Sequence, residues 1–363
     1  MRFLVSLVLT GLIAAQPKLL SWKVAYFHDE DFSLLSFHDI QFGGSDCIFA
    51  LGTQVTKSKV KPVSVRSIDR GKTWILTALK DQARSAFFLS ARLGWMVTED
   101  GVERSNDCGA TWERASKEKG LLRVSFRDEA LGWAVGSPKK ALATRDGGKT
   151  WTAIKPNSDP KSDPDRSVYA WVEFATDSFG IIAGWHSPQR RAAQFPIWMD
   201  PESATNRRQW PSLTLMLQTI DGGTVWQGFT ASLLGKMTRI RLAPSGAGLT
   251  LIEFDETFDY PSEVYRLAPE HNTISRIYRD KRHAVSDIAL GRDGWTYLAG
   301  VQTQGTIRLP VPGKVRILRS QDDKTWMEDP VDYRASANRV FLATAPDGRM
   351  MAATDTGMIL RLE

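Results

Sequence analysis

The stretch T-R-D-G-G-K-T-W, Thr144 to Trp151, decides the fold, because close copies of it return along the chain. They are S-I-D-R-G-K-T-W (Ser67 to Trp74), S-N-D-C-G-A-T-W (Ser105 to Trp112) and T-I-D-G-G-T-V-W (Thr219 to Trp226), with a shortened S-Q-D-D-K-T-W ending at Trp326. The shared pattern suits a tight turn between two strands. The Asp carboxylate accepts bonds from turn N–H groups, and Gly supplies the positive φ that a side chain resists. Thr re-enters extended structure, and Trp is large enough to fill a seam between sheets. The residues in these roles are Asp69, Gly71 and Trp74; Asp107, Gly109 and Trp112; Asp146, Gly148 and Trp151; Asp221, Gly223 and Trp226; and, in the damaged copy, Asp322 and Trp326.

The repeat matches the Asp-box, or BNR repeat, which marks blades of β-propellers. Its flanks, V-S-F-R-D-E-A-L-G-W-A-V-G (Val124 to Gly136), F-L-S-A-R-L-G-W-M-V (Phe88 to Val97) and V-E-F-A-T-D-S-F-G-I-I-A-G (Val172 to Gly184), make the chain resemble the photosystem II assembly and stability factors. That resemblance implies an all-β fold of four-stranded antiparallel blades, each with its box between the third and fourth strands. The boxed Asp residues lie 38, 39, 75 and 101 apart. Four boxed blades, a fifth with its box lost, a sixth with the damaged box and a three-stranded seventh over Val340 to Leu362 account for the chain. Ser21 to Tyr26 is expected to supply the missing outer strand, with Trp22 in the box-Trp place. Seven blades are therefore expected, six or eight also being compatible with the repeats.

At 363 residues, 42% hydrophobic and with 13 Trp, the chain has material for one closed ring. Met1 and Arg2 followed by the apolar run Phe3 to Ala15 read as a secretory signal, leaving a single propeller domain over residues 16–363. The expected location is exported: periplasmic, lumenal as in a thylakoid, or extracellular. Cys47 and Cys108, the only two cysteines, are expected on an inner strand and in a box turn, places usually far apart in a propeller. That argues against a disulfide, although sequence alone leaves the pairing open. A net charge of +6 without a concentrated basic run makes nucleic acid a poor partner.

In such a blade the boxes lie on the face of the first and third turns, so their Asp residues read as scaffold. The opposite face carries the long loops: Thr53 to Pro62 with Lys57, Lys59 and Lys61; an insertion over residues 186–212; and Thr303 to Lys314 with Arg308. The insertion holds Arg190, Arg191, Arg207, Arg208, Trp198 and Trp210, and a fifth-blade loop adds Asp259 and Tyr260. Arginine and exposed aromatics suit recognition of a charged polypeptide. These eight residues are the expected partner contacts of a non-enzymatic, monomeric scaffold that holds part of a membrane protein, the role the family resemblance implies.

The alternative is a glycan-binding propeller or a divergent sialidase-like glycosidase. Sialidases of this fold use three arginines and a Tyr nucleophile paired with Glu. Here Arg66, Arg241 and Arg308 would have to converge on the ring axis, and Tyr260 with Glu256 or Glu263 would have to form the pair. No metal-ligand spacing, nucleotide loop or nucleophile elbow is present, so no metal or cofactor is expected.

Overall fold

The computed structural model describes residues 20–57, 59–187, 212–254, 258–268, 273–303 and 312–363. An N-terminal strand, β1 (Trp22–Phe27), precedes six consecutive blades. Blade 1 is β2–β5 (Ser33–Gly43, Cys47–Thr56, Lys59–Ser67, Ile75–Ala78), and blade 2 is β6–β9 (Ala83–Phe88, Gly94–Thr98, Gly101–Ser105, Glu113–Ser116). Blade 3 is β10–β13 (Leu121–Phe126, Gly132–Gly136, Lys140–Thr144, Thr152–Ala153), and blade 4 is β14–β17 (Ser167–Phe174, Gly180–His186, Ser212–Thr219, Gln227–Leu233). Blade 5 is β18–β21 (Lys236–Leu242, Gly248–Glu253, Ser262–Ala268, Thr273–Arg279). Blade 6 is β22–β25 (His283–Leu290, Thr296–Gln302, Gly313–Ser320, Met327–Asp329), with a short β26 (Ser336–Ala337) added against β24. Blade 7 is β27–β29 (Val340–Thr344, Met350–Thr354, Met358–Leu362), completed on its outside by β1.

The protein is thus a seven-bladed propeller of four-stranded antiparallel sheets, closed by its N-terminal strand. Among the described residues no helix is long and apolar enough to cross a membrane.

Each box uses its residues as their chemistry requires. In blade 3, Asp146 Oδ1 accepts from the N–H groups of Lys149 (3.1 Å) and Thr150 (2.9 Å), and Oδ2 accepts from the Thr150 hydroxyl (2.6 Å). Thr144 Oγ1 donates to Asp146 (2.8 Å) and accepts from Gly148 N–H (3.0 Å). The same net recurs around Asp69 and Asp107, and around Asp221 with Thr219 and Val225 N–H but without the second hydroxyl, since Val225 stands in the threonine place. The turn demands more than the sequence pattern shows, since the residue after the Asp is also left-handed: Arg70 (φ 68°), Cys108 (φ 60°), Gly147 (φ 75°) and Gly222 (φ 71°).

The box also joins blades. A Cβ on Gly109 would lie 2.4 Å from the Phe49 ring of blade 1, and one on Gly223 would lie 2.6 Å from the Trp133 indole of blade 3, so each box leans on the second strand of the preceding blade. Trp95 Nε1 donates to Gly147 O across that seam (2.9 Å), which places the recurrent Gly-Trp pairs of blades 2 and 3 in inter-blade packing.

This geometry corrects the expectation that the two cysteines lie apart. Cys47 opens β3 beside the turn after β2, on the same end of the ring as the boxes, and the blade 2 box reaches back over blade 1. Cys47 and Cys108 are therefore bonded, with their Cα atoms 6.0 Å apart. Both are buried among Phe49, Phe88 and Met96.

Closure rests on Trp22, which is fully buried between blades 6 and 7 against Val315, Ile317, Val340 and Leu360. β1 runs antiparallel to β29 with Trp22 opposite Leu362, the position a box Trp takes beside the end of a third strand. Its indole N–H donates to Asp329 (3.3 Å), which Arg319 holds at 2.8 Å.

Two outcomes follow from this scaffold. Trp22→Ala removes the largest side chain of the closing seam and is expected to cost about 3–5 kcal/mol in denaturant unfolding; a loss below about 1 kcal/mol would mean that closure does not depend on it. Hydrogen bonds from Thr150 and Thr144 pull the Asp146 carboxyl down to about 2, and those of Asp69, Asp107, Asp221 and Asp322 are lowered too. A depressed folded pKa gives stability that is complete above the unfolded value near ~3.9 and lost as pH falls through the folded one. The melting temperature should therefore drop between about pH 4 and pH 2, and the deficit of Asp146→Asn seen at pH 6 should shrink over that window.

Candidate functional site

The inner strands line the ring axis, and in six of the seven blades they carry an irregularity at one level. The register slips before Asp39 in β2, Ser85 in β6, Arg123 in β10, Trp171 in β14, Arg239 in β18 and Asp287 in β22. A bulge re-aims the side chain that follows it. These six residues form a polar belt around the axis that the reading of loops and boxes missed. A signal for it exists in the chain: Ser85, Arg123, Trp171 and Arg239 each stand nine residues before the Gly that opens the next strand, Gly94, Gly132, Gly180 and Gly248.

The belt has two kinds of member. Some bond to the backbone of the following blade: Asp39 Oδ2 accepts from Ala86 N–H (2.9 Å), Asp287 Oδ2 accepts from Leu342 N–H (2.9 Å), and Ser85 donates to Leu122 O (2.8 Å). Glu173, two residues beyond Trp171, accepts from Leu242 N–H (2.8 Å) and from the Trp171 indole (3.1 Å). The others are cations gathered on Trp171, whose ring has the guanidinium carbons of Arg123, Arg241 and Arg239 at 3.9, 4.9 and 5.1 Å. Arg239 pairs with Asp287 (3.4 Å), and Arg241 pairs with Glu173 (3.4 Å) and Asp287 (3.8 Å). Burial works against the charge of Arg241, but the carboxylates of Asp287, Glu173 and Asp39 outweigh it and raise its pKa.

Arg123 differs. Among the described residues its side chain has no hydrogen bond or ion pair, only its stacking on Trp171. Burial, with Arg239 and Arg241 close by and only part of their effect offset by Asp39 and Asp287, pulls its pKa down to about 10, so it stays charged at neutral pH. It faces a cavity of about 510 Å³ that opens among the turns after the inner strands. Gln41, Trp171, Glu173, Arg241 and Arg127 supply polar or charged lining, and Phe42, Phe87, Phe126, Phe174, Leu242, Leu290 and Leu342 supply apolar walls. The mouth therefore lies on the box face, opposite the long-loop face to which the sequence reading assigned function.

Of the expected partner contacts, Arg190, Arg191, Trp198, Arg207, Arg208 and Trp210 lie outside the described residues, between β15, which ends at His186, and β16, which begins at Ser212. Asp259 and Tyr260 are described and are already engaged within the protein: Asp259 pairs with Lys281 (2.9 Å), and Arg279 stacks on the Tyr260 ring (3.7 Å).

The arginine convergence needed for a sialidase does not form. Arg241 lines the axial cavity, whereas Arg66 sits on the third strand of blade 1 and does not; Arg308 lies outside the described residues. Glu263 is paired by Tyr265 (2.6 Å), not Tyr260, and by Arg276 and Arg279. Burial, then the bonded Glu263, pushes the Tyr265 hydroxyl up to about 12, away from a ready nucleophile. The group does not line the cavity. Among the described residues no three His, Cys, Asp or Glu side chains are grouped to hold a metal ion.

Repeat, ring and axial belt define the class: a BNR-type seven-bladed propeller with a charged central cavity. A model of the family described as Photosynthesis system II assembly factor YCF48 matches residues 69–181, from the blade 1 box into β15. YCF48 from Cyanidioschyzon merolae is similar in structure at 17% identity and a TM-score of 0.60, covering 94% of this chain and 98% of that one. YCF48 bound to D1 peptide is similar at 15% identity and 0.56, covering 92% and 98%. The extracellular domain of a putative one component system, BT4673 of B. thetaiotaomicron, reaches 0.56 at 9% identity, covering 93% of this chain and 39% of that one. No curated protein matches the chain. The protein thus resembles the photosystem II assembly factor in its repeat, and at these identities the structural likeness speaks for the fold.

The two classes of belt residue differ in what their loss should do. Asp287→Ala leaves Arg239 and Arg241 short of a buried partner, and unfolding free energy should fall by about 3–5 kcal/mol. Arg123→Ala breaks no pair and should cost about 1–2 kcal/mol, the scale of one partly desolvated cation–π contact. Equal losses from the two variants, measured by denaturant titration, would show that Arg123 is scaffold.

Proposed function

We propose that the protein is a non-enzymatic binding propeller, an assembly or stability factor that takes a segment of a membrane protein into its axial cavity. The observation that carries this reading is Arg123: an unpaired guanidinium facing an open-mouthed cavity with mixed polar and apolar walls. A charge left without a partner at the bottom of a cavity is a site for an opposite charge, and arginine offers a carboxylate two parallel donors. The fitting ligand is an extended polypeptide whose carboxylate meets Arg123 while its apolar side chains lie against Phe87 and Phe174. The match to the photosystem II assembly factor family over residues 69–181, and the existence of a similar propeller solved as YCF48 bound to D1 peptide, favour a polypeptide ligand. The arginine-bearing insertion over residues 186–212 is then a second candidate contact.

An exported location, periplasmic, lumenal or extracellular, agrees with the signal-like run Phe3 to Ala15 and with a Cys47–Cys108 disulfide, which persists in oxidising compartments. The glycan reading has less to stand on. Trp171, the indole at the axis, is buried beneath three guanidinium groups and offers no open face for a sugar ring.

The test is calorimetric titration of the mature chain with a short apolar peptide ending in a free carboxylate and with its amide. The parent should prefer the acid, and Arg123→Ala should bind it at least about tenfold more weakly, the worth of one charge-assisted bond. Equal binding of acid and amide, or an unaffected variant, would remove the cavity from the function. A loss seen only on replacing Arg190, Arg191, Arg207 and Arg208 together would move the site to the insertion.

A further inference from the structure

We propose a second interaction surface, independent of the cavity: the outer edge of blade 4, which pairs with the same edge of a second copy of this chain. An outer strand presents one row of unpaired N–H and C=O groups, and proteins ordinarily blunt such edges by keeping them short or charged. Most outer strands here follow that rule. β5, β9, β13 and β25 are four residues or fewer, β1 carries Lys23, and β21 carries Arg276 and Arg279. β17 does not. It is seven residues long, reads Q-G-F-T-A-S-L without a charge or a proline, and is exposed along most of its length, with Phe229 at 44%. Among the described residues only its start is covered, where Ser158 bridges Gln227, Pro160 sits against Gly228 and Asn157 N–H donates to Trp226 O (2.8 Å). Phe229 to Leu233 form no bond on the outer side among the described residues.

The occupant follows from the sequence of the strand. Two copies related by a two-fold axis pair antiparallel, and such a contact is closed and self-complementary. A charged strand would set like charges face to face; this one has none to oppose. Centred on Ala231, the pairing sets Phe229 opposite Leu233 of the second copy on one face of the joined sheets, and Thr230 opposite Ser232 on the other. Aromatic–aliphatic and hydroxyl–hydroxyl cross-strand pairs are both favourable. Ala231 then meets its own copy across the axis, where a small side chain lets the strands approach. The dimer so built is a pair of rings joined rim to rim, with both cavity mouths open.

Sedimentation equilibrium of the mature chain over a range of concentrations, combined with cysteine cross-linking, tests this. The parent should show a monomer–dimer equilibrium, and Ala231→Lys, which sets two ammonium groups on the axis, should weaken it at least about tenfold. Because Ala231 is exposed, an unchanged melting temperature for that variant will separate lost pairing from lost folding. Under mild oxidation Ala231→Cys should form a covalent dimer, whereas Ala78→Cys on the edge of blade 1 should not; Cys47 and Cys108 are occupied by their own bond. A monomer at every concentration with no Ala231→Cys cross-link overturns the proposal, and so does a dimer that Ala231→Lys leaves intact.

Discussion

Seven sheets arranged around one axis leave the inner edge of every blade with backbone groups that no strand of its own sheet can pair. Buried N–H and C=O groups are costly when unpaired, so the centre of the ring must be polar even though the seams between blades are apolar. The molecule meets this constraint with side chains from one level of its inner strands. Asp39, Ser85 and Asp287 each bond the backbone of the following blade, as Glu173 does from one step further along. Each such bond joins two blades and sets their spacing about the axis.

That solution creates an electrostatic problem, and the functional candidate grows out of it. Three carboxylates close to the axis must be balanced, and Arg239 and Arg241 balance Asp287 and Glu173 directly. Asp39 is satisfied instead by neutral donors, Ala86 N–H and the Gln41 amide. The third cation, Arg123, is thereby left with Trp171 as its support and with no anion of its own. Formal neutrality of the belt and a locally unpaired guanidinium coexist because hydrogen bonding and charge pairing are distributed over different partners.

How much of this was legible in the chain follows from what each residue type reports. The boxes read clearly, because Ser/Thr, Asp, Gly and Trp each serve one local geometry, and Trp22 could be placed in the closing seam by analogy with them. The disulfide was not legible, because it depends on one blade's box lying over the previous blade, a relation between repeats. The axial belt was hidden for a different reason. A bulge shifts the alternation of an inner strand by one residue, so Arg123 and Trp171 fall out of step with the inward pattern set earlier in the same strand. Only the constant nine-residue spacing to the next strand's opening Gly marks them, and that spacing appears once several blades are aligned.

Loop length could not point to the axial cavity, for a related physical reason. The long connections join second to third strands, whereas the first turns and the boxes pack on each other and stay short. At the short-turn end box glycines sit against neighbouring rings, and a disulfide ties blades 1 and 2. A cavity that opens at that end has walls held by these contacts, and a preformed wall loses less ordering entropy when a ligand binds. One unpaired charge set into such a wall is a basis for recognition that a count of charges along the sequence does not reveal.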